Sequence, residues 1–291
     1  MTEQEWLTST DPRRMLDHLL HGAIAFRERP GGLPANRRTR LPCATDRKLR
    51  LFACACCRAV WPLLADQRIR LAVEVAEKFA DGLETRDELL AAYGGAFEAD
   101  TEVNGDGELP PSGNLAVRMA YNVAYPGIKA ALSPVLRWAE PAVAAEFLRH
   151  IVNPWHSVCA WRVVYDGLCR KCKDTGSGGD NFTEGGKRVT CLACRNTGHE
   201  CVRRPEPWLT PTVTALAAAL YDGGDCAHAL HDALLEAGAP AEIVEHFRPQ
   251  PCNACGGRHS AACSGACRGT GWQPQFHPKG CWALDLILGK E

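Results

Sequence analysis

The sequence predicts a mainly α protein, a helical scaffold that carries two small cysteine-rich zinc-knuckle insertions of β-hairpin type. Three observations predict it. Apolar residues recur at helical spacing through most of the first 160 residues and again over 205–249. Helix start and stop signals fall at the ends of those runs. Two stretches rich in Gly, Cys and basic residues, 167–204 and 250–280, interrupt the pattern. The chain divides accordingly into an N-terminal helical region 1–166, a first knuckle insertion 167–204, a continuation of the scaffold 205–249, a second insertion 250–280, and an apolar segment 281–291 packing on the scaffold.

Taken in order, Met15, Leu16, Leu19, Leu20 and Ile24 make one apolar stripe after Asp11-Pro12, and Gly31-Gly32 ends that element. A second helix is predicted over 46–64 and a third over 66–80, with Ile69, Val73, Ala76 and Ala80 on one face and Gly82 beyond the end. Thr85 and Glu88 form a capping box that opens a fourth. Residues 100–113, rich in acids and breakers, are predicted as a loop. Ser133-Pro134 places a cap and a first-turn proline ahead of a helix over 135–152, which Pro141 kinks or splits. Thr210-Pro211 starts a helix running to about Tyr221, and shorter ones follow at 227–236 and 241–247. The apolar run 281–288 is short enough to be strand or helix.

A chain of 291 residues with 46% hydrophobic residues can bury a substantial core. Its 33 Lys and Arg against 34 Asp and Glu leave a formal charge of −1, so no global field draws it to nucleic acid or to an anionic membrane. The acidic N-terminus is unlike a signal peptide, and no run approaches the roughly 18 apolar residues of a membrane span. A cytoplasmic location is the expectation. Sixteen cysteines then point to metal or burial, because cytosolic thiols stay reduced.

Half of them fall in four pairs. The first insertion reads Cys169-Arg-Lys-Cys172-Lys-Asp-Thr-Gly176 and Cys191-Leu-Ala-Cys194-Arg-Asn-Thr-Gly198, with 18 residues between Cys172 and Cys191. The second reads Cys252-Asn-Ala-Cys255-Gly-Gly and Cys263-Ser-Gly-Ala-Cys267-Arg-Gly-Thr-Gly271, with seven residues between Cys255 and Cys263 and a second knuckle one residue wider. Two thiolates on a tight turn present two corners of a tetrahedron while backbone amides point at the sulfurs, and glycine after the second cysteine relieves the turn. Four such pairs supply eight thiolates, enough for two structural Zn²⁺ ions. Complete four-thiolate sites are closed, which argues for bracing rather than catalysis. The other eight cysteines, Cys43, Cys54, Cys56, Cys57, Cys159, Cys201, Cys226 and Cys281, show no such pattern.

The paired-cysteine unit resembles the cysteine-rich repeat of DnaJ-type co-chaperones, whose four copies bind two zinc ions. The resemblance covers only the two insertions and brings no His-Pro-Asp signature with it, so it implies zinc binding and not co-chaperone activity. In that family the first knuckle shares a zinc with the fourth and the second with the third. Local pairing within each insertion is the simpler reading, and both pairings use the same eight ligands. A wider resemblance spans most of the chain. Glu5-Trp6-Leu7, Thr10-Asp11-Pro12, the stretch from Asp46 to Arg58, Ala72-Val-Glu-Val-Ala-Glu77 with Ala80-Asp-Gly82, Trp208-Leu-Thr-Pro-Thr-Val213, Gly280-Cys-Trp282 and Asp285-Leu286 are similar to an uncharacterised paralogous family of bacterial proteins with no assigned activity.

Other candidates receive plainer readings. Cys54 and Cys57 share a helix face among apolar neighbours and are expected to pack in the core. Asp100 to Gly105 starts like a calcium loop but has Pro111 where the bidentate Glu belongs, and is expected to be a solvated acidic loop. Gly185-Gly186-Lys187-Arg188 is expected at the tip of the first hairpin. The stretch 162–204 has nine Lys/Arg against five Asp/Glu and 252–271 two against none, but each four-thiolate zinc centre carries about −2 and absorbs much of that excess. No catalytic constellation stands out. The expectation is a non-enzymatic protein-interaction or adaptor module whose partner is another protein. Nucleic-acid binding through the basic hairpins is the main alternative, and an enzyme of unrecognised class another.

Overall fold

The computed structural model describes residues 1–22, 44–104, 115–154, 161–168, 183–184, 187–188 and 199–257, and, beyond these, residues 263, 267, 272, 273, 275 and 277–290. It is mainly helical, as expected. Helix α1 (Glu3–Thr8) opens with a capping box between Thr2 and Glu5, and α2 (Pro12–Asp17) opens on Asp11, whose carboxylate accepts the Arg13 and Arg14 amides. The expected end of this element at Gly31-Gly32 lies outside the described residues.

Helix α3 (Asp46–Ala59) is the axis of the first core. Every residue from Leu49 to Cys57 is buried, because α4 (Gln67–Ala80), α6 (Leu115–Val123), α7 (Ile128–Trp138) and α8 (Pro141–Ile151) pack around it. The predicted helix over 46–64 is therefore too long. It stops at Ala59 and gives way to a 3₁₀ turn at Trp61–Leu63, since Pro62 has no amide to donate and its ring would strike the Arg58 carbonyl. Asp66 caps α4, and Ile69, Val73 and Ala76 are buried on its inner face. Thr85 and Glu88 exchange the hydrogen bonds of the capping box, 2.6 Å and 3.3 Å, at the start of α5 (Arg86–Asn104).

The loop predicted over 100–113 begins later than expected, because residues 100–104 form the last turn of α5. Its acids find cations: Asp100 is buried 3.5 Å from Arg118, and Glu102 takes the Arg68 guanidinium at 2.6 Å. Residues 105–114 lie outside the described residues. Pro134 sits inside α7 rather than in its first turn. Buried Ile128, Leu132 and Val135 hold the helix to the core across that proline. Pro141 opens α8, with the Glu140 carboxylate accepting the Ala142 and Val143 amides.

Trp161, Val163, Val164 and Tyr165, residue types that favour extended backbone, form much of β1 (Trp161–Leu168), which starts ahead of the predicted boundary at 167 and pairs antiparallel with β4 (His199–Pro205). The ladder runs from Trp161 opposite Pro205 to Leu168 opposite His199, so the chain leaves for residues 169–198 and returns at one point. Between them β2 (Thr183–Glu184) pairs antiparallel with β3 (Lys187–Arg188), Glu184 opposite Lys187, while Gly185-Gly186, expected with Lys187-Arg188 at the hairpin tip, lie outside the described residues.

A second core is built by α9 (Pro211–Tyr221), α10 (Ala227–Glu236), α11 (Ala241–His246) and α12 (Trp282–Leu288), the last resolving the 281–288 run as helix packed on α9. The two cores meet at a polar seam. Arg47 of α3 donates to both oxygens of fully buried Asp285 (2.6 and 3.0 Å), to Asp81 (2.8 Å) and to Tyr221 Oη (3.0 Å). Lys48 pairs with Asp285 and donates to the Gly280 carbonyl at 2.8 Å. Burial opposes the charge on Arg47, and the Asp285 and Asp81 carboxylates more than offset it, so its guanidinium is held protonated more firmly than usual. Gly280 has φ +83°, and a Cβ there would come within 2.7 Å of Leu51 on α3.

Candidate metal centre

The second insertion is built from tight turns at its start. The Gly256 amide donates to the Cys252 carbonyl at 2.7 Å, and Gly256 and Gly257 both take positive φ, +60° and +81°, which lets the chain reverse directly after Cys255. The Cys255 and Ala254 amides point at the Cys252 sulfur and bring its thiol down to about 6. Farther along, a bridge between Pro251 and Trp272 and a bond from the Gln273 amide to the Gln250 carbonyl (2.8 Å) tie the two ends of the segment together.

Inside this frame the four sulfurs converge. Cys252 and Cys263 are 3.9 Å apart, Cys255 and Cys267 are 3.7 Å apart, and all four Sγ atoms lie within 4.8 Å of one another. A disulfide needs about 2.05 Å, so these are not bonded pairs. A tetrahedron with metal–sulfur bonds of about 2.3 Å has sulfur–sulfur edges of about 3.8 Å, which the two distances bracket. Cys252 and Cys267 are buried, and Cys255 and Cys263 are half-buried. The four thiols of the second insertion thus form a group that can hold a metal ion, assembled within that insertion. Burial, with the neighbouring thiols, pushes Cys255 up to about 12 in the metal-free chain, so a cation would have to displace its proton.

Cys169, Cys172, Cys191 and Cys194 lie outside the described residues. Cys54, Cys56 and Cys57 are buried in the first core, as expected of packing residues, and Cys226 donates to the Leu216 carbonyl at 3.3 Å. A second group of metal-ligating side chains was not singled out by the sequence. His150, His246 and His277 each place a ring nitrogen within 4.8 Å of the other two. Burial lowers all three imidazoles, His246 well below its ordinary range and His277 to about 4, so the rings are neutral near pH 7. These residues come from distant segments, and no local spacing in the sequence marks them.

One shallow cleft is lined by Trp61, Arg68, Arg70, Leu71 and Glu74. The Arg58 guanidinium covers the Trp61 ring at 4.0 Å, and Leu63 and Leu71 stand exposed beside it. Of the two arginines that line it, Arg68 holds Asp66 and Glu102 and Arg70 donates to the Leu64 carbonyl, while Arg58 beside it grips Glu77 through bonds of 2.9 and 2.7 Å. No helix among the described residues is long and apolar enough to cross a membrane. No family model, no curated protein and no solved structure matches the chain.

Proposed function

We propose that this chain is a non-enzymatic, zinc-binding helical protein that acts as a protein-interaction or adaptor module. The observation that carries the reading is the closed group of Cys252, Cys255, Cys263 and Cys267, at the edge lengths of a tetrahedral four-thiolate site. Four thiolates suit zinc among the common divalent ions, and a complete set leaves no open position for substrate or water. The ion is therefore a structural brace. A second such ion belongs to Cys169, Cys172, Cys191 and Cys194, whose spacing repeats the pattern.

A protein partner suits the surface better than nucleic acid. The cleft at Trp61 has exposed leucines beside it, and one of its two arginines, Arg68, is already paired to Asp66 and Glu102, so the face offers little positive charge to a phosphate backbone. Zinc content of the purified full-length chain tests the metal part, with Cys263→Ser expected to remove one equivalent. An unchanged content in that variant overturns it. Affinity capture from a native lysate tests the adaptor part, and a chain that retains nucleic acid in a salt-dependent way but no protein overturns that.

A further inference from the structure

Three histidines far apart in sequence meet where the two cores adjoin. His150 lies in the last turn of α8, His246 ends α11, and His277 stands in the segment that leads into α12. Their rings make a nearly equilateral triangle, with centroids 5.5 Å (His150 to His246), 5.9 Å (His150 to His277) and 5.3 Å (His246 to His277) apart. Cys281, fully buried, sets its sulfur 3.1 Å from His246 Nε2 and 3.9 Å from His277 Nδ1. The rings of Phe247 and Trp282, each 5.0 Å from that of His246, wall the group with apolar surface.

Packed histidines in an apolar wall ordinarily satisfy their nitrogens with carbonyls or carboxylates. Here His150 Nδ1 and His277 Nε2 are buried without a hydrogen-bond partner. Each such orphan costs about 1–3 kcal/mol. Three polar rings turned toward one another, with a thiol beside them, are better explained by an ion that all of them share. Glu146 stands 3.9 Å from His150 Nε2, where a carboxylate can orient a histidine that ligates through its other nitrogen.

We propose that His150, His246 and His277 form a second kind of metal site in this protein, a three-imidazole centre for zinc with the Cys281 thiol beside it. Each ring offers one nitrogen, and the three lie within 4.8 Å of one another. Zinc–nitrogen bonds of about 2.0–2.1 Å would draw them to tetrahedral edges of about 3.3 Å. The imidazoles are neutral and donate lone pairs without losing a proton. Nitrogen donors form a borderline set that suits zinc over magnesium or calcium. The ligands come from α8 on one side and from α11 and the approach to α12 on the other, so the ion staples the first core to the second.

X-ray absorption at the zinc edge of the full-length native protein is the deciding experiment, because it requires no variant to fold. The expected shell is sulfur mixed with imidazole nitrogen. A sulfur-only shell overturns this assignment and leaves the four-thiolate reading intact, whereas a nitrogen shell with little sulfur does the reverse. His150→Gln should lower the zinc content by one equivalent, additively with the equivalent lost in Cys263→Ser, and a His150→Gln protein that keeps the full zinc content overturns the proposal.

Discussion

Two groups of cysteines in this chain meet opposite fates. Cys54, Cys56 and Cys57 lie within four residues of one another, yet α3 buries them in the first core with Cys56 on a different face from Cys54 and Cys57, and burial drives each thiol above its ordinary range. Cys252, Cys255, Cys263 and Cys267 are more widely spaced, yet turns fold their sulfurs into one cluster and amides lower the Cys252 thiol. Cysteine density is therefore no guide to ligation. A regular helix satisfies its own amides and disperses neighbouring side chains, whereas a glycine-relieved turn leaves amides unpaired and aims them at sulfur.

The largest test of that contrast is metal removal. Structural zinc in an all-thiolate site is worth about 10–16 kcal/mol of local folding. Chelation or Cys267→Ala should expose the amides around 250–257 to hydrogen exchange, while those of α3 and α4 stay protected. Loss of protection in α3 alone would break the comparison. Next comes the seam, which neither cysteine group touches directly. Asp285→Ala leaves Arg47 and Lys48 without their buried partner and should cost about 3–5 kcal/mol in urea unfolding with the thiolate zinc retained.

A smaller effect should follow Cys57→Ser, which buries a hydroxyl in an apolar site at about 1–3 kcal/mol. Zinc content should not change, and in the native protein thiol alkylation should reach the α3 cysteines neither before nor after chelation. The smallest effect concerns pH. Burial alone would raise the Asp81 carboxyl, but hydrogen bonds from Arg47 and Tyr221 outweigh it and hold it below its ordinary value. Its contribution is therefore full above the ordinary carboxylate pKa of about 4 and disappears as pH falls through the lower folded value. Asp81→Asn should flatten that acid limb in denaturation measured from neutral pH downward, and an unchanged limb would show that Asp81 does not couple to the seam.

Much of the helical scaffold is legible because its signals are local. Asp66, the Thr85–Glu88 box and Thr210-Pro211 each start a helix where the sequence predicts, since a cap satisfies amides two or three residues away. Pro62 was equally local and was passed over, and it ends α3. The last turn of α5 and the proline inside α7 were not legible in the same way. The first turns on arginines from α4 and α6, and the second on a buried face that only packing reveals.

The sequence by itself determined the ligands Cys252, Cys255, Cys263 and Cys267, whose knuckle spacing is local, but left open whether they group with one another or with the first insertion, and the structure gathers them within 252–267. Only the tertiary structure decided the meeting of Arg47 with Asp285 and of His150 with His246, His277 and Cys281. Those contacts depend on how α3 and α8 dock against α11 and α12. Docking is set by the shape and burial of two whole cores, a property that no short window of residues contains.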